Sequence, residues 1–170
     1  LIKTDSFSFA FIVDFPLFEW NLDEEKWDAM HHVFTSPKDE HIKYLDSNPG
    51  DIIGQLFDLV CNGVELGSGS IRIHNREVQE KVFNIIGYSS SEVSERFSTI
   101  LESFEYGAPP HGGMGLGLDR LVAMLVGESS IREVITFPKT QTAFDPLFDT
   151  PSLISNQQLT ELNLDIHNKE

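Results

Sequence analysis

Residues 56–74, with the sequence LFDLVCNGVELGSGSIRIH, decide the fold. The apolar run from Leu56 to Leu66 predicts one β-strand, and the run from Ser70 to His74 predicts another. Predicted strands and helices come in mixed order along the rest of the chain. We therefore expect an α+β fold in which helices flank an antiparallel sheet.

Two carboxylates interrupt the first of these strands. Strict alternation would place Asp58 and Glu65 on opposite faces, whereas a bulge at Gly63 would bring them to the same face. A shared face would suit a divalent metal such as Mg²⁺, which prefers a few carboxylates together with phosphate oxygens. Alternatively, Asn62-Gly63 is a hairpin turn and both acids are solvated. The spacing leaves the two interpretations open.

A second hairpin is suggested by the small residues after Leu66. If Ser68-Gly69 forms a two-residue loop, Glu65 lies opposite Arg72 and the two side chains pair across the ladder. The planar guanidinium of Arg72 also suits a bidentate grip on a carboxylate ligand. An ordinary hairpin with one ion pair is the alternative.

Upstream of this region, apolar residues alternate with others in a period of two and predict a strand with one apolar face, which Pro16 ends. The apolar positions are Phe7, Phe9, Phe11, Val13 and Phe15. Residues 19–51 are polar and contain Pro37 and Pro49-Gly50, so they predict a long loop with one helical turn.

Downstream, two helices have local start signals. Asn75 predicts the cap of a helix that Gly87 closes. Ser89 and Glu92 form a predicted capping box for a second helix, which ends before Gly107.

The remaining residues predict shorter elements. Residues 108–113 predict a turn, and residues 115–118 predict either a short buried strand or the start of a helix. Apolar spacing then predicts a helix up to Gly127 and a short one over 129–135, followed by a loop over 140–151. The polar tail after Asn163 is expected to fray.

Two further groups are candidates for chemistry. The run GLGLDR, residues 115–120, is a glycine-spaced entry to a helix, although it lacks the third glycine of a dinucleotide fingerprint. His31-His32 lies in a polar stretch and is able to bind an anion, but adjacent histidines rarely share one metal. Tight packing for the glycines and simple exposure for the histidines are the alternatives.

Composition limits the function classes. The formal charge is −15, from 27 acidic and 12 basic residues, which argues against this chain being the main grip on a nucleic acid. The single cysteine, Cys61, excludes an internal disulfide, and no apolar run reaches the roughly 20 residues of a membrane span. Because the chain starts without Met and enters a strand at once, we expect it to be cut from a longer protein, with a processed chain as the alternative.

Taken in order, the motifs resemble those of aspartyl-tRNA synthetases of the bacterial type, a class II family. The similarity covers roughly Phe11 to Leu164. The motifs that carry it are DFPLFE (14–19), HHVFT (31–35), FDLVCNGVELG (57–67), GSIRIH (69–74), YGAPPHGG (106–113), GLGLDR (115–120) and FPKT (137–140).

This resemblance implies a reaction. The family joins L-aspartate to ATP, releases pyrophosphate, and transfers the aspartyl group to the 3′ end of tRNA(Asp). The resemblance leaves open whether tRNA(Asn) is charged too. It also implies a cytoplasmic, homodimeric full-length protein with no membrane contact.

The resemblance also implies residue roles. His31, on a mobile loop, and Arg72 would bind the aspartate substrate, and Arg120 would be the catalytic residue nearest the nucleotide. Mg²⁺ would be held by Asp58 and Glu65. ATP would be bound by Glu65, Gly117, Leu118, Asp119 and Arg120.

Two departures from the family pattern bear on these expectations. Val33 stands where the family usually has Pro, and the first two class II motifs are absent. Residues 1–164 therefore resemble the C-terminal portion of the catalytic domain, without the anticodon-binding and inserted domains, followed by a polar tail over 165–170. We expect the isolated chain to be inactive. A non-catalytic or repurposed aspartate-binding relative is the alternative, as are sister enzymes that act on asparagine.

Overall fold

The computed structural model describes residues 6–167. Its main feature is a four-stranded antiparallel sheet with the strand order β1-β4-β5-β6. The strands are β1 (Phe9–Val13), β2 (Phe18–Asn21), β3 (Lys26–Ala29), β4 (Leu56–Cys61), β5 (Val64–Ile71) and β6 (Gly112–Leu116). The helices are α1 (Arg76–Ile85), α2 (Ser90–Glu105), α3 (Leu118–Val126) and α4 (Asn156–Glu161). The chain divides into two compact units, unit 1 up to Leu118 and unit 2 from Asp119 onward.

The structure shows that Asn62-Gly63 is a hairpin turn between β4 and β5 and that Gly63 is not a bulge within one strand. Asn62 and Gly63 both have positive φ, 50° and 84°, as a two-residue turn between twisted antiparallel strands requires. Leu56 to Leu66 is therefore two strands and not one. The predicted separate strand from Ser70 to His74 is also wrong, because Ser70 and Ile71 are the end of β5.

The first strand is where the alternation predicts it, but its apolar residues are not covered. β1 pairs with β4 in an antiparallel register from Phe9 opposite Cys61 to Val13 opposite Phe57. All five residues of the strand are exposed, and Phe11 is 63% accessible. Within unit 1, β1 contributes its backbone to the sheet more than its side chains to a core.

The predicted long loop contains a hairpin. Residues 18–29 form β2 and β3, a separate two-stranded sheet in which Trp20 pairs with Trp27. The two indole rings contact each other edge to face, with centroids 5.3 Å apart. The rest of the segment forms two short 3-10 helices, Asp39–Tyr44 and Pro49–Asp51.

The two helices of unit 1 begin as their sequences predict. The Asn75 side chain accepts from the backbone N–H of Val78 at the start of α1. At the start of α2, Ser89 and Glu92 make both bonds of the capping box. The helices also pack into the core, where Phe83 stacks on Phe97 with centroids 4.4 Å apart. A second buried cluster comprises Leu17, Phe18, Leu45, Ile52, Ile73 and Val82.

The last part of the chain has less regular structure. The glycine-rich run forms β6, which is exposed and not buried as one alternative predicted, and α3 follows it. The short helix predicted over 129–135 is a 3-10 turn, Ile131–Glu133, and α4 was not predicted. Within residues 6–167, no helix has the length and apolar character needed to cross a membrane.

Candidate active site

The two strand carboxylates lie on the same face of the sheet. The register pairs Asp58 with Ser68 and Val60 with Glu65, and it shifts between Leu59 and Val60. Asp58 and Val60 are two residues apart and share a face, so the partner of Val60 shares it too. The bulge that achieves this lies at Leu66 and not at Gly63, which instead completes the turn.

The expected pairing of Glu65 with Arg72 across a hairpin is wrong. Ser68-Gly69 is not a loop but the middle of β5, where Ser68 faces Asp58 and Gly69 faces Phe57. Glu65 is an exposed residue at the start of β5, and Arg72 lies just beyond its end. The two charges are therefore placed at opposite ends of one strand.

Glycines open this face of the sheet. Gly115 pairs with Ser68 and Gly113 with Ser70, which places both glycines on the face of Asp58. A Cβ added at either glycine would meet none of the atoms of residues 6–167 within 4 Å. On the opposite face the situation differs, because a Cβ at Gly69 would lie 2.6 Å from the ring of Phe57. The face that carries Asp58, Glu65, Ser68 and Ser70 is called the polar face below. Its backbone is uncovered at Gly113 and Gly115, and this shelf is open to a ligand.

Arg72 is fixed by contacts at its backbone and its side chain. Its N–H donates to the carbonyl oxygen of His111 across 2.9 Å, and the residue forms a β-bridge with Thr35. Its guanidinium Nη1 lies 3.0 Å from Nδ1 of His32. The other ring nitrogen of His32 lies 3.3 Å from the hydroxyl of Ser70. Arg72 thus sits at the end of the polar face with a defined side-chain partner.

His31, the histidine that the resemblance assigns to substrate binding, is more exposed than His32. It is exposed, and its ring lies at an interplanar angle of 43° to that of His32, with centroids 4.6 Å apart. His32, to which the resemblance assigned no role, is the histidine that contacts Arg72. Its adjacency to His31 was the only signal, and the sequence does not reveal which of two adjacent side chains turns inward.

The residues that follow these histidines, Val33 to Thr35, are anchored by contacts with other elements of the fold. Phe34 packs in the aromatic cluster of α1 and α2, and its carbonyl oxygen accepts from the N–H of Ile73. Thr35 is only 1% exposed. The side chain of Gln79, which is fully buried in α1, donates to the carbonyl oxygen of Val33 across 2.7 Å. These contacts hold His32 against Arg72.

The pKa of His32 reflects this environment. Burial, followed by the positive charge of Arg72 and then by His31, lowers its pKa from 6.5 to about 4. The imidazole is therefore neutral near pH 7, and only a neutral ring can accept a hydrogen bond from a guanidinium.

The run from Gly117 to Arg120 spans the boundary between the two compact units. The N–H of Gly117 donates to the carbonyl oxygen of Leu66 across 2.7 Å, which ties the end of β6 to β5. Leu118 begins α3, and Asp119 and Arg120 follow it as exposed residues of the second unit. The predicted helix start is confirmed.

The acidic residues of the site fit a magnesium ion that also has phosphate ligands. Across the described part of the chain, no group of three or more His, Cys, Asp or Glu residues is placed to hold a metal. Asp58 and Glu65 share a face, and two carboxylates are the usual protein contribution when a nucleotide supplies the other oxygens. These two residues would hold the ion, and its positive charge would offset the negative charge of the phosphates.

Comparison with known proteins identifies the family. The family model described as "tRNA synthetases class II (D, K and N)" matches residues 1–141. The chain is 51% identical over 164 residues to the aspartate–tRNA(Asp/Asn) ligase of Treponema denticola, covering 96% of this chain and 28% of that protein. The corresponding ligase of Rubrobacter xylanophilus is 53% identical over 166 residues, covering 98% and 28%.

Solved structures agree on the fold and confirm the α+β prediction. The aspartyl-tRNA synthetase of Entamoeba histolytica matches with a TM-score of 0.60 and 26% identity, covering 81% of this chain and 24% of that one. An asparaginyl-tRNA synthetase from the same organism, in complex with asparaginyl-adenylate, gives a TM-score of 0.60 at 27% identity, covering 81% and 26%.

The chain covers only part of the length of the proteins it matches. The chain spans 28% of the length of the two bacterial ligases it matches. The family model accounts for most of its residues, and the ordered motifs of the sequence lie within the matched region. The chain therefore belongs to the family of class II tRNA synthetases (D, K and N).

Proposed function

We propose that this chain is part of an aspartate–tRNA ligase. Residues 1–164 are the C-terminal portion of its catalytic domain, and the complete protein supplies the remaining motifs and the tRNA-reading domain. The protein activates L-aspartate with ATP and transfers the aspartyl group to tRNA(Asp). The observation that carries the proposal is the guanidinium of Arg72, which is held at the end of a polar, glycine-lined sheet face.

The roles of the residues follow from their chemistry. A planar guanidinium binds a carboxylate through two parallel N–H bonds, so Arg72 grips the side-chain carboxylate of the aspartate substrate. His31 is exposed beside this position and is free to contact the same ligand. Asp58 and Glu65 hold Mg²⁺ together with the phosphates of ATP. Gly117, Leu118, Asp119 and Arg120 bind the nucleotide, and the charge of Arg120 stabilises the transition state.

This set of groups suffices for nucleotidyl transfer. The α-carboxylate of aspartate, and not the side-chain carboxylate held by Arg72, is the nucleophile that attacks the α-phosphate of ATP, and pyrophosphate leaves. The protein is required to align the two substrates and to neutralise charge, tasks that need no side-chain nucleophile. The site contains cationic, metal-binding and small residues that match these tasks.

The complete protein extends beyond this site. We infer that it is a cytoplasmic homodimer, as the resemblance implies. The two bacterial relatives are named for both aspartate and asparagine tRNA. Charging of tRNA(Asp) is the activity proposed, and tRNA(Asn) is tested as a second substrate.

Amino-acid-dependent exchange of pyrophosphate into ATP tests the proposal. The complete protein should support exchange with L-aspartate and not with lysine or asparagine, the other two amino acids of the family. Transfer to tRNA(Asp) and tRNA(Asn) is then measured separately. Exchange with asparagine or lysine in place of aspartate would refute the assignment. Binding of aspartate without any exchange would instead indicate a repurposed relative.

The 170-residue chain alone is the natural control. It lacks the first two class II motifs and the tRNA-reading domain, and a partial site loses much of its transition-state stabilisation. We expect background exchange from the isolated chain at any aspartate concentration. Turnover close to that of the complete protein would show that the missing motifs are not required.

A further inference from the structure

Nδ1 of His32 lies within hydrogen-bond distance of three groups. The backbone N–H of Phe34 lies 3.1 Å away and Nη1 of Arg72 lies 3.0 Å away. The hydroxyl of Thr35 lies at 3.4 Å. A backbone amide and a guanidinium can only donate, so Nδ1 must be the acceptor and the ring proton resides on Nε2. The contacts of the ring thus select one tautomer.

The second ring nitrogen completes the arrangement. Nε2–H points to the hydroxyl oxygen of Ser70, 3.3 Å away, and Ser70 is fully buried. Ser70 is a residue of β5, and Arg72 follows it by two positions on the same side of the chain. The imidazole therefore bridges the strand end and the guanidinium, and fixes one relative to the other.

We propose that His32 is a positioning residue that orients the guanidinium of Arg72 through a neutral acceptor, which leaves its full positive charge available for the carboxylate of the substrate. This inference rests on the proposed function, in which Arg72 grips that carboxylate. Contact through Nη1 leaves the edge formed by Nε and Nη2 for a bidentate ligand.

The neutrality of the partner is the central point. An aspartate or glutamate at position 32 would also hold Arg72, but it would satisfy the guanidinium with a bound negative charge and repel the substrate. A neutral imidazole gives the orientation without that competition. The low pKa of His32 agrees, because the ring stays uncharged at neutral pH.

Three substitutions in the complete protein test this role. His32→Asn keeps a neutral acceptor near the position of Nδ1, His32→Asp is nearly isosteric with it but carries a charge, and His32→Ala removes the acceptor. Steady-state pyrophosphate exchange gives KM for aspartate, KM for ATP and kcat for each variant. Melting curves report the folded fraction, and the exposed His167→Ala is the matched control.

We expect a graded effect on aspartate alone. KM for aspartate should rise by no more than a few-fold in His32→Asn, about tenfold in His32→Ala and about a hundredfold in His32→Asp, with KM for ATP unchanged. Equal values of KM for aspartate in His32→Asn and His32→Asp would overturn the proposal. Parallel changes in KM for aspartate and KM for ATP would overturn it too. A merely structural role would show in the melting temperature and move both constants together.

Arg72→Lys separates this inference from the proposed function. If Arg72→Lys leaves KM for aspartate unchanged, the carboxylate grip is wrong and both proposals fall. If Arg72→Lys raises it but the His32 variants match the wild type, the orienting role alone is overturned. In a double variant, His32→Ala should add little to Arg72→Lys, since coupled residues are not additive. Fully additive effects would contradict the proposed contact.

Discussion

The side-chain amide of Gln79 in α1 donates to the carbonyl oxygen of Val33 across 2.7 Å, although 46 positions separate the two residues. Gln79 is fully buried, and within the described residues its Oε1 atom has no hydrogen-bond partner. A buried amide with one unsatisfied end costs stability. The bond that the amide does make anchors Val33, the residue that follows the two histidines.

Gln79→Leu is expected to loosen the histidine segment at a small cost in stability. The substitution leaves the Val33 carbonyl without its donor but also removes a buried unsatisfied oxygen, so we expect a net loss of about 1 kcal/mol. Amide exchange of Phe34 and Thr35 should accelerate about fivefold, since a local loss of about 1 kcal/mol corresponds to that factor. Gln157→Leu, at an exposed glutamine of α4, is the control. Unchanged exchange at Phe34 and Thr35 would show that the anchor has no such role.

The pKa of His32 makes stability depend on pH in a defined window. The pKa is about 4 in the folded chain and 6.5 ordinarily, so the unfolded chain takes up the proton first as the pH falls. The contribution of neutral His32 to the free energy of unfolding is therefore complete above pH 6.5 and is lost as the pH falls from 6.5 to 4. After allowance for solvent screening, the loss is on the order of 1–2 kcal/mol.

Denaturant unfolding of the wild type and of His32→Asn over this pH range measures the effect. Other groups titrate in the same range, but they are common to both chains and cancel in the difference. The difference in unfolding free energy should be constant above pH 6.5 and should shift in favour of the variant as the pH falls to 4. A difference that stays constant throughout would mean that His32 has its ordinary pKa in the folded chain.

Features that depend on neighbouring residues could be predicted from the sequence. The Asn75 cap and the Ser89–Glu92 capping box involve bonds that span three residues, and both are present. The strand and helix types of the flanking segments follow from local periodicity in the same way. These are the parts of the fold in which the sequence itself brings the interacting groups together.

Features that depend on distant residues could not be predicted. The β2–β3 hairpin has polar strands, and the cross-strand contact of Trp20 with Trp27 marks it only once the chain is folded. The position of the bulge depends on how β4 and β5 pair, so the shared face of Asp58 and Glu65 was one of two open alternatives. His32 turns inward because contacts with Ser70 of β5, with Arg72 and with α1, about 40 residues away, set its position.

Two glycines on opposite faces of the sheet should respond differently to substitution. Gly115→Val places a side chain in open space on the polar face, and a β-branched residue is well tolerated in a strand. We expect the melting temperature to hold and KM for ATP in the complete protein to rise about tenfold, since a side chain there obstructs the shelf.

Gly69→Ala is the counterpart on the packed face. Its Cβ would lie 2.5 Å from the carbonyl oxygen of Gly113 and 2.6 Å from the ring of Phe57. Such overpacking typically costs about 1–3 kcal/mol. Melting curves and exchange kinetics on both variants check the contrast. If Gly115→Val binds ATP like the wild type, the shelf is not part of the nucleotide site.

The last prediction concerns Glu65, which shares its face with Asp58. Glu65→Gln in the complete protein hardly changes the shape of the residue but removes one negative charge from the proposed magnesium site. Because a lost ligand charge costs a few kcal/mol, we expect adenylate formation to fall on the order of a hundredfold. Excess Mg²⁺ should restore part of the activity by mass action, and the melting temperature should hold. Pyrophosphate exchange over a Mg²⁺ series measures this, with Glu95→Gln at an exposed position of α2 as the control. A destabilised variant with normal activity per folded molecule, and no dependence on Mg²⁺, would mean that Glu65 serves the fold and not the metal.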